Sequence, residues 1–254
     1  VTARVKVDVA GAVGRLVLAV PERGNVLDAE AARALTDALM EFEGDDHVRA
    51  VLLTAEGPDF CTGTDLAALA VLLDAPADAH EHDASDLGRV FLTMRGMQKP
   101  VVAAVQGKAT GTGAGLATAC DVVLARDDAK FSYPDVRRGF VPAMILNMLR
   151  RSVGEKHAFD LIASGRIIDA AEAERIGLVS RVVPTMGWTD AVERYVLSLA
   201  ASSSVAMGIT KRLFYRLDGV PFREGIAEGV RSTSEARATE DFRTGIQQFL
   251  KRGE

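Results

Sequence analysis

Cysteine, histidine and surplus positive charge are all scarce in this chain. Of 254 residues only two are cysteines, Cys61 and Cys120. They lie far apart with no metal-like spacing, so neither a disulfide framework nor a zinc site is indicated and free thiols are expected. The formal net charge is −5, which gives nucleic acid no electrostatic footprint to bind. A negative balance still permits an anionic ligand held by a few local cations or backbone N–H groups. No apolar run approaches the ~20 residues that a membrane span needs, and no signal-like segment is read at the start. A cytoplasmic protein is therefore expected. No repeat of fixed period occurs, and the only biased tract is 74–86 (DAPADAHEHDASD).

What is present is an ordinary globular composition, 48% apolar and 26% charged, in a chain long enough to bury a core without staples. Residues 4–9 and 15–20, separated by Gly11 and Gly14, read as a hairpin. Residues 28–43 carry Ala31, Leu35, Leu39 and Phe42 at helical spacing behind Asp28, a candidate N-cap. Strands are expected at 48–54, 101–106 and 121–126. Helices are expected from the middle sixties to about 73, at 86–97 and at 114–120. The polar 74–86 tract between two of them reads as a mobile loop. Alternating strands and helices predict an α/β core with parallel strands. Strand signals stop near Pro184, and 189–201, 204–217, 222–236 and 240–251 all read as helices. The expected division is a core over 1–185 and a helical appendage over 186–254.

Two glycine-rich turns stand out: Phe60-Cys61-Thr62-Gly63-Thr64-Asp65-Leu66, and 107–116 (GKATGTGAGL). Each leads toward a helix, whose first N–H groups are unpaired and positively polarised. Glycine lets such a backbone approach a ligand closely. Taken alone, either turn reads first as a tight connection. Brought together, the two could aim two N–H donors at one oxygen, forming an oxyanion hole. Gly111, Gly113 and Gly115 fit neither the G-x-G-x-x-G nor the P-loop pattern.

The order of these segments resembles the enoyl-CoA hydratase/isomerase (crotonase) superfamily from nearly end to end. Residues 59–66 resemble its F-S-A-G-A-D-L segment. Residues 99–121 (KPVVAAVQGKATGTGAGLATACD) are similar to its central glycine-rich segment, 129–136 (AKFSYPDV) to its A-x-F-x-x-P-E-x, and 154–183 to its G-x-x-x-A…G-L-V-x-x-V stretch. The resemblance implies a crotonase (ClpP-like) spiral of stacked ββα units with C-terminal helices, assembled as a homotrimer or dimer of trimers. It implies an acyl-CoA thioester as substrate, coenzyme A being part of the substrate, with no other cofactor and no metal. The implied hole donors are the backbone N–H groups of Thr64 and Thr112, with Thr62, Gly63 and Gly111 as neighbouring contacts. Both donor positions are more often Ala or Gly in the family, so threonine adds bulk beside the thioester.

The resembled hydratases use two glutamates. One position is Gly115 here; the other is Asp135, one methylene shorter. A lone acid beside an oxyanion hole suits Δ3,Δ2-enoyl-CoA isomerisation, in which one base removes an α-proton and returns it at the γ-carbon. Hydration and a non-catalytic acyl-CoA-binding role remain the alternatives. Apolar neighbours such as Phe131 and Phe140 could raise the Asp135 pKa, while Arg137 and Arg138 could pair it instead. The resembled dehalogenases place an aspartate where Ala143 stands, which argues against that chemistry. Pro142-Ala143-Met144-Ile145 predicts an apolar pocket roof.

The remaining candidates read as structural. His80 and His82 read as solvated loop residues rather than metal ligands. Cys61 reads as small packing, Asp65 as a helix N-cap and Asp121 as a backbone anchor. Lys251 and Arg252 could reach a CoA phosphate or remain solvated.

Overall fold

The computed structural model describes residues 4–252. The predicted hairpin forms with strands β1 (Val5–Ala10) and β2 (Val13–Leu18), paired antiparallel with Ala10 opposite Val13. Gly11, at φ +60°, turns the chain between them. Helix α1 (Ala29–Gly44) is capped by Asp28, whose carboxylate accepts from the Ala31 N–H at 2.9 Å. Strand β3 (Ala50–Ala55) and helix α2 (Leu66–Ala70) follow, then α3 (Ala77–Gly96), β4 (Val101–Val105), β5 (Lys108–Thr110) and α4 (Thr112–Ala119). After β6 (Val122–Arg126) and β7 (Lys130–Ser132) come a 3₁₀ turn at 135–138 and α5 (Ala143–Ser164). The chain closes with β8 (Ile167–Asp169), α6 (Ala170–Arg175), β9 (Arg181–Val183), α7 (Trp188–Ala200), α8 (Ser204–Arg216), α9 (Phe222–Arg237) and α10 (Glu240–Arg252).

Two sheets result. The larger has the order β1-β2-β3-β4-β6-β9 and is parallel except for β1; the smaller has the order β5-β7-β8. Each of β4 and β6 feeds the large sheet and then passes directly to a strand of the small one, β5 and β7 respectively, so successive units stack as a spiral. Side chains alternate across the large sheet. Val51 and Leu53 enter the main core with α1, α3 and α4, while Ala50 and Leu52 face the other way, against Val192, Val196 and Ala200 of α7. Helix α7 therefore closes the second face of the sheet.

The expected 74–86 loop is instead the end of a turn and the first half of α3. Its polarity was misleading because the segment is helical for local reasons. Pro76 precedes the first helical residue, Asp78 lies in the first turn, and Ala77, Ala79 and Ala84 favour helix. Burial starts only at Asp86, Val90, Phe91 and Met94, so the N-terminal half shows no apolar stripe. Asp86 is buried beneath Arg33, at 2.8 Å, and Arg89. Among the described residues no helix is long and apolar enough to cross a membrane.

Candidate active site

The first glycine-rich turn is fixed from below. Cys61 N–H donates to Lys108 O at 3.0 Å and Thr110 N–H to Cys61 O at 2.9 Å, which ties this turn to β5. Gly63 has φ +110°, and a Cβ there would stand 2.9 Å from Thr110 O. Only glycine combines that backbone with that approach. Leu27 then brackets Thr64: its N–H donates to Gly63 O and its carbonyl accepts from Asp65 N–H, both at 2.8 Å. This pairing uses the groups on either side of Thr64 and leaves the Thr64 N–H out of the ladder. Asp65 caps α2 through the N–H groups of Ala67 and Ala68 and pairs with Arg23 at 2.5 Å. It is an N-cap, as expected.

The second turn docks on the first. A Cβ on Gly113 would lie 2.2 Å from Cys61 O, so the contact requires glycine. Thr112 begins α4, where the N–H has no intrahelical acceptor. The hydroxyls of Thr64 and Thr112 meet at 2.6 Å. Among the described residues neither of the two backbone N–H groups finds an acceptor. Thr64, Thr112 and Asp135 line one cavity of about 540 Å³.

Asp135 opens the 3₁₀ turn that follows β7. Its Oδ2 is buried, and among the described residues it has no hydrogen-bond partner and no ion pair reaches the carboxylate. The Arg-paired alternative is therefore not the arrangement seen. Burial holds its carboxyl above the ordinary aspartate range, against its own backbone N–H and the Arg138 charge, which pull it down. Gly111 lies against it: a Cβ there would be 3.4 Å from Oδ1.

The space of the missing acid is filled. A Cβ on Gly115 would fall 2.7 Å from Ile145 Cγ1 and 3.1 Å from Cδ1. Ile145 is 4% exposed and forms the cavity roof with Pro142, Ala143 and Met144. The apolar roof was legible in the sequence; the occupation of the Gly115 space by Ile145 was not.

The other candidates separate cleanly. Thr62 does not line the cavity, because its N–H and hydroxyl both donate to Gly24 O, at 2.9 and 3.0 Å. Gly63 and Gly111 likewise shape the cavity from behind its lining. Burial pushes the Cys61 thiol up to about 12, which suits packing rather than nucleophilic attack. Asp121 accepts from Val101 N–H, Lys211 Nζ and Tyr215 Oη at 2.6–2.7 Å, anchoring α8 to the sheet. His80 and Asp83 reach the cavity edge from α3. Lys251 is exposed at the end of α10, and the Arg252 side chain lies outside the described residues.

A folded spiral that presents two bracketed backbone turns and one unpaired acid in a single cavity defines a class, and comparison with known proteins identifies it. The enoyl-CoA hydratase/isomerase family profile matches residues 8–254. The chain belongs to that family and is one of its acyl-CoA enzymes. A Thermus thermophilus protein provisionally named an enoyl-CoA hydratase is 37% identical over 232 residues, covering 91% of this chain and 92% of its own. The (E)-benzylidenesuccinyl-CoA hydratase of Thauera aromatica is 30% identical over 250 residues, covering 98% and 96%. Among solved structures, human enoyl-CoA hydratase domain-containing protein 3 superposes with a TM-score of 0.93 at 26% identity, covering 98% of each chain.

Proposed function

We propose that this protein isomerises Δ3-enoyl-CoA thioesters to the Δ2 form with Asp135 as the only acid–base group. The observation that carries the reading is the pairing of an Asp135 whose Oδ2 is buried without a partner with an Ile145 that fills the space over Gly115. A second carboxylate has no room in this arrangement, and two-acid hydration needs one. In the proposed reaction the thioester oxygen rests between the N–H groups of Thr64 and Thr112. Asp135 takes the proton from C2, the electron pair of that C–H bond enters the dienolate, and the C3=C4 bond shifts to C2=C3. The same proton is then delivered to C4. Atoms and charge balance without water, metal or redox cofactor; coenzyme A leaves as it entered, as part of the thioester.

Hydration of 2-enoyl-CoA is the second reading, favoured by the names of the relatives. A 3-enoyl-CoA panel run in ¹⁸O-labelled water separates the two. Isomerisation predicts 2-enoyl-CoA of unchanged mass, formed faster than any hydrated product. Faster accumulation of labelled 3-hydroxyacyl-CoA from 2-enoyl-CoA overturns the isomerase reading. Binding of every thioester without turnover supports the non-catalytic alternative.

The same proposal includes a homotrimer or dimer of trimers in the cytoplasm. Phe222, Ile226 and Val230 of α9 and Phe249 and Leu250 of α10 are more than half exposed, a concentration of apolar surface that supports burial between copies. Light scattering on the purified chain that returned a monomer mass would overturn the assembly.

A further inference from the structure

Behind the roof of the active-site cavity lies a second hollow of about 440 Å³, between α3, α5 and α8. The two spaces share one lining residue, Met144. Its neighbour across the gap is Gly88 of α3: a Cβ there would sit 3.4 Å from Met144 Sδ. Gly88 has no side chain to share this place, and among the described residues Met144 alone lines both spaces. The second hollow is lined on one side by Phe91, Leu92 and Met148 and on the other by Arg95, Asn147, Tyr215 and the Arg151–Asp218 ion pair. Phe91 and Met148 are each 5% exposed and give the hollow a floor in the core, while Leu92, 75% exposed, stands on its open outer side.

We propose that Met144 is the partition that sets acyl length, and that the second hollow receives the distal end of acyl groups too long for the first cavity. This rests on the acyl-CoA reading of that cavity. Three properties of the site carry the inference. The roof residues beside the partition, and Phe91 and Met148 beyond it, are apolar, so a hydrocarbon chain that keeps to them strips no polar group of water. Methionine is unbranched and has three rotatable bonds, so it can swing aside where leucine or phenylalanine would have to be displaced. Met144 stands in the first turn of α5, immediately after Ala143, and is half-buried rather than locked in the core. With the thioether in place the acyl pocket ends at the roof. With it turned away, the pocket continues along Phe91 and Met148.

The test uses saturated thioesters, which bind without reacting and so separate this proposal from the chemistry. Butyryl-CoA and decanoyl-CoA are titrated calorimetrically into the wild-type chain, Met144→Ala, Leu92→Trp and the double variant. Each methylene buried is worth roughly fourfold in affinity, so opening the partition to two or three more methylenes should raise the decanoyl-to-butyryl affinity ratio more than about tenfold in Met144→Ala. Adding Leu92→Trp, at a position that lines only the second hollow, should return the ratio to the wild-type value. If Met144→Ala and the double variant both keep that ratio within twofold of wild type while butyryl-CoA still binds, Met144 is not the partition. If wild type binds neither thioester, the acyl-CoA reading of the cavity fails and takes this proposal with it.

Discussion

Gly115→Glu would restore the second acid of the resembled hydratases, and the structure specifies why it should fail alone. The new Cβ would stand 2.7 Å from Ile145 Cγ1, closer than nonbonded carbons approach. Ile145 is 4% exposed and packed into the main core, so it cannot simply turn into solvent. Overpacking of this kind costs about 1–3 kcal/mol. Ile145→Ala alone should cost about 2–5 kcal/mol through the cavity it leaves. Combined, each change relieves the other: the glutamate stem enters the vacated space. The double variant should therefore be more stable than the sum of the single effects predicts, by about 1–3 kcal/mol of coupling. Urea unfolding of the four proteins at one pH measures the cycle, with m held constant as the check on two-state behaviour. Water addition to crotonyl-CoA should appear only in the double variant, where the introduced glutamate and Asp135 can share a water. Additivity within about 0.5 kcal/mol, the ordinary tolerance for independent sites, would refute the claim that Ile145 occupies the acid's space. Equal hydration by Gly115→Glu with Ile145 intact would refute it from the side of activity.

Three other outcomes follow from the same site. Asp135→Asn should lower turnover ~10²–10⁴-fold, the usual share of a general base, while acyl-CoA affinity stays within a few-fold; retention of more than roughly a tenth of wild-type activity would move the base elsewhere, Asp83 being a lining carboxylate not engaged in capping a helix as Asp28 and Asp65 are. Because burial raises the Asp135 pKa, the folded state holds its proton to higher pH than the unfolded chain does, so wild type should lose stability relative to Asp135→Asn as pH rises from the ordinary aspartate value through the raised one, and kcat/KM should climb over that upper window; matched pH–stability curves for the two proteins would exclude the shift. Thr112→Val keeps the backbone N–H and removes the 2.6 Å hydroxyl contact, so stability should fall by about 1 kcal/mol with activity within tenfold, whereas a loss of hundredfold or more would make the hydroxyl, not the N–H, the donor.

Much of the scaffold was legible because its signals are local. The four C-terminal helices were predicted to within about a residue at either end, since each carries amphipathic spacing and some carry local start signals: Ser203 accepts from Ala206 N–H at 3.1 Å, and Pro221 precedes α9. The hairpin was legible from its glycines, although its strands sit one to two residues from the expected positions. Segment 74–86 failed because alanine propensity and a leading proline, not apolar spacing, make it helical, and the partners of Asp86 come partly from α1. Helix α2 stops at Ala70 rather than 73, as Val71 and Leu73 are exposed and give the helix no face to bury. Within the site, Asp135, Thr64 and Thr112 were found through motif order. The Thr64–Thr112 hydroxyl contact spans 48 residues, and the Ile145–Gly115 contact joins α4 to α5; neither leaves a periodic or local trace in the chain.

Burial and backbone dipoles act differently on the acid and on the proposed thioester site beside it, and the difference favours one direction of proton transfer. Asp135 holds a carboxylate in a place that disfavours charge: Oδ2 is buried without a partner, and desolvation is the largest influence on its titration. The N-terminus of α4, whose N-cap Gly111 lies against the carboxylate, presents the unpaired Thr112 N–H and the positive end of an eight-residue helix. In the proposed reaction the proton moves onto Asp135 and the negative charge moves to the thioester oxygen. Charge thus leaves the group that burial penalises and arrives where backbone dipoles already point. Those dipoles are held by Leu27, by the Gly113–Cys61 contact and by β5, so no reorganisation accompanies the transfer. An arginine pairing Asp135 would stabilise its carboxylate and reverse this gradient. Arg137 and Arg138 are both adjacent in sequence, yet among the described residues neither forms an ion pair with it. The left-handed Gly139 ends the 3₁₀ turn directly after them, and all three residues from Val136 to Arg138 are exposed. The turn therefore buries one carboxylate oxygen while sending its nearest cations to solvent, a division that lowers the resting stability of the carboxylate and leaves it free to accept a proton.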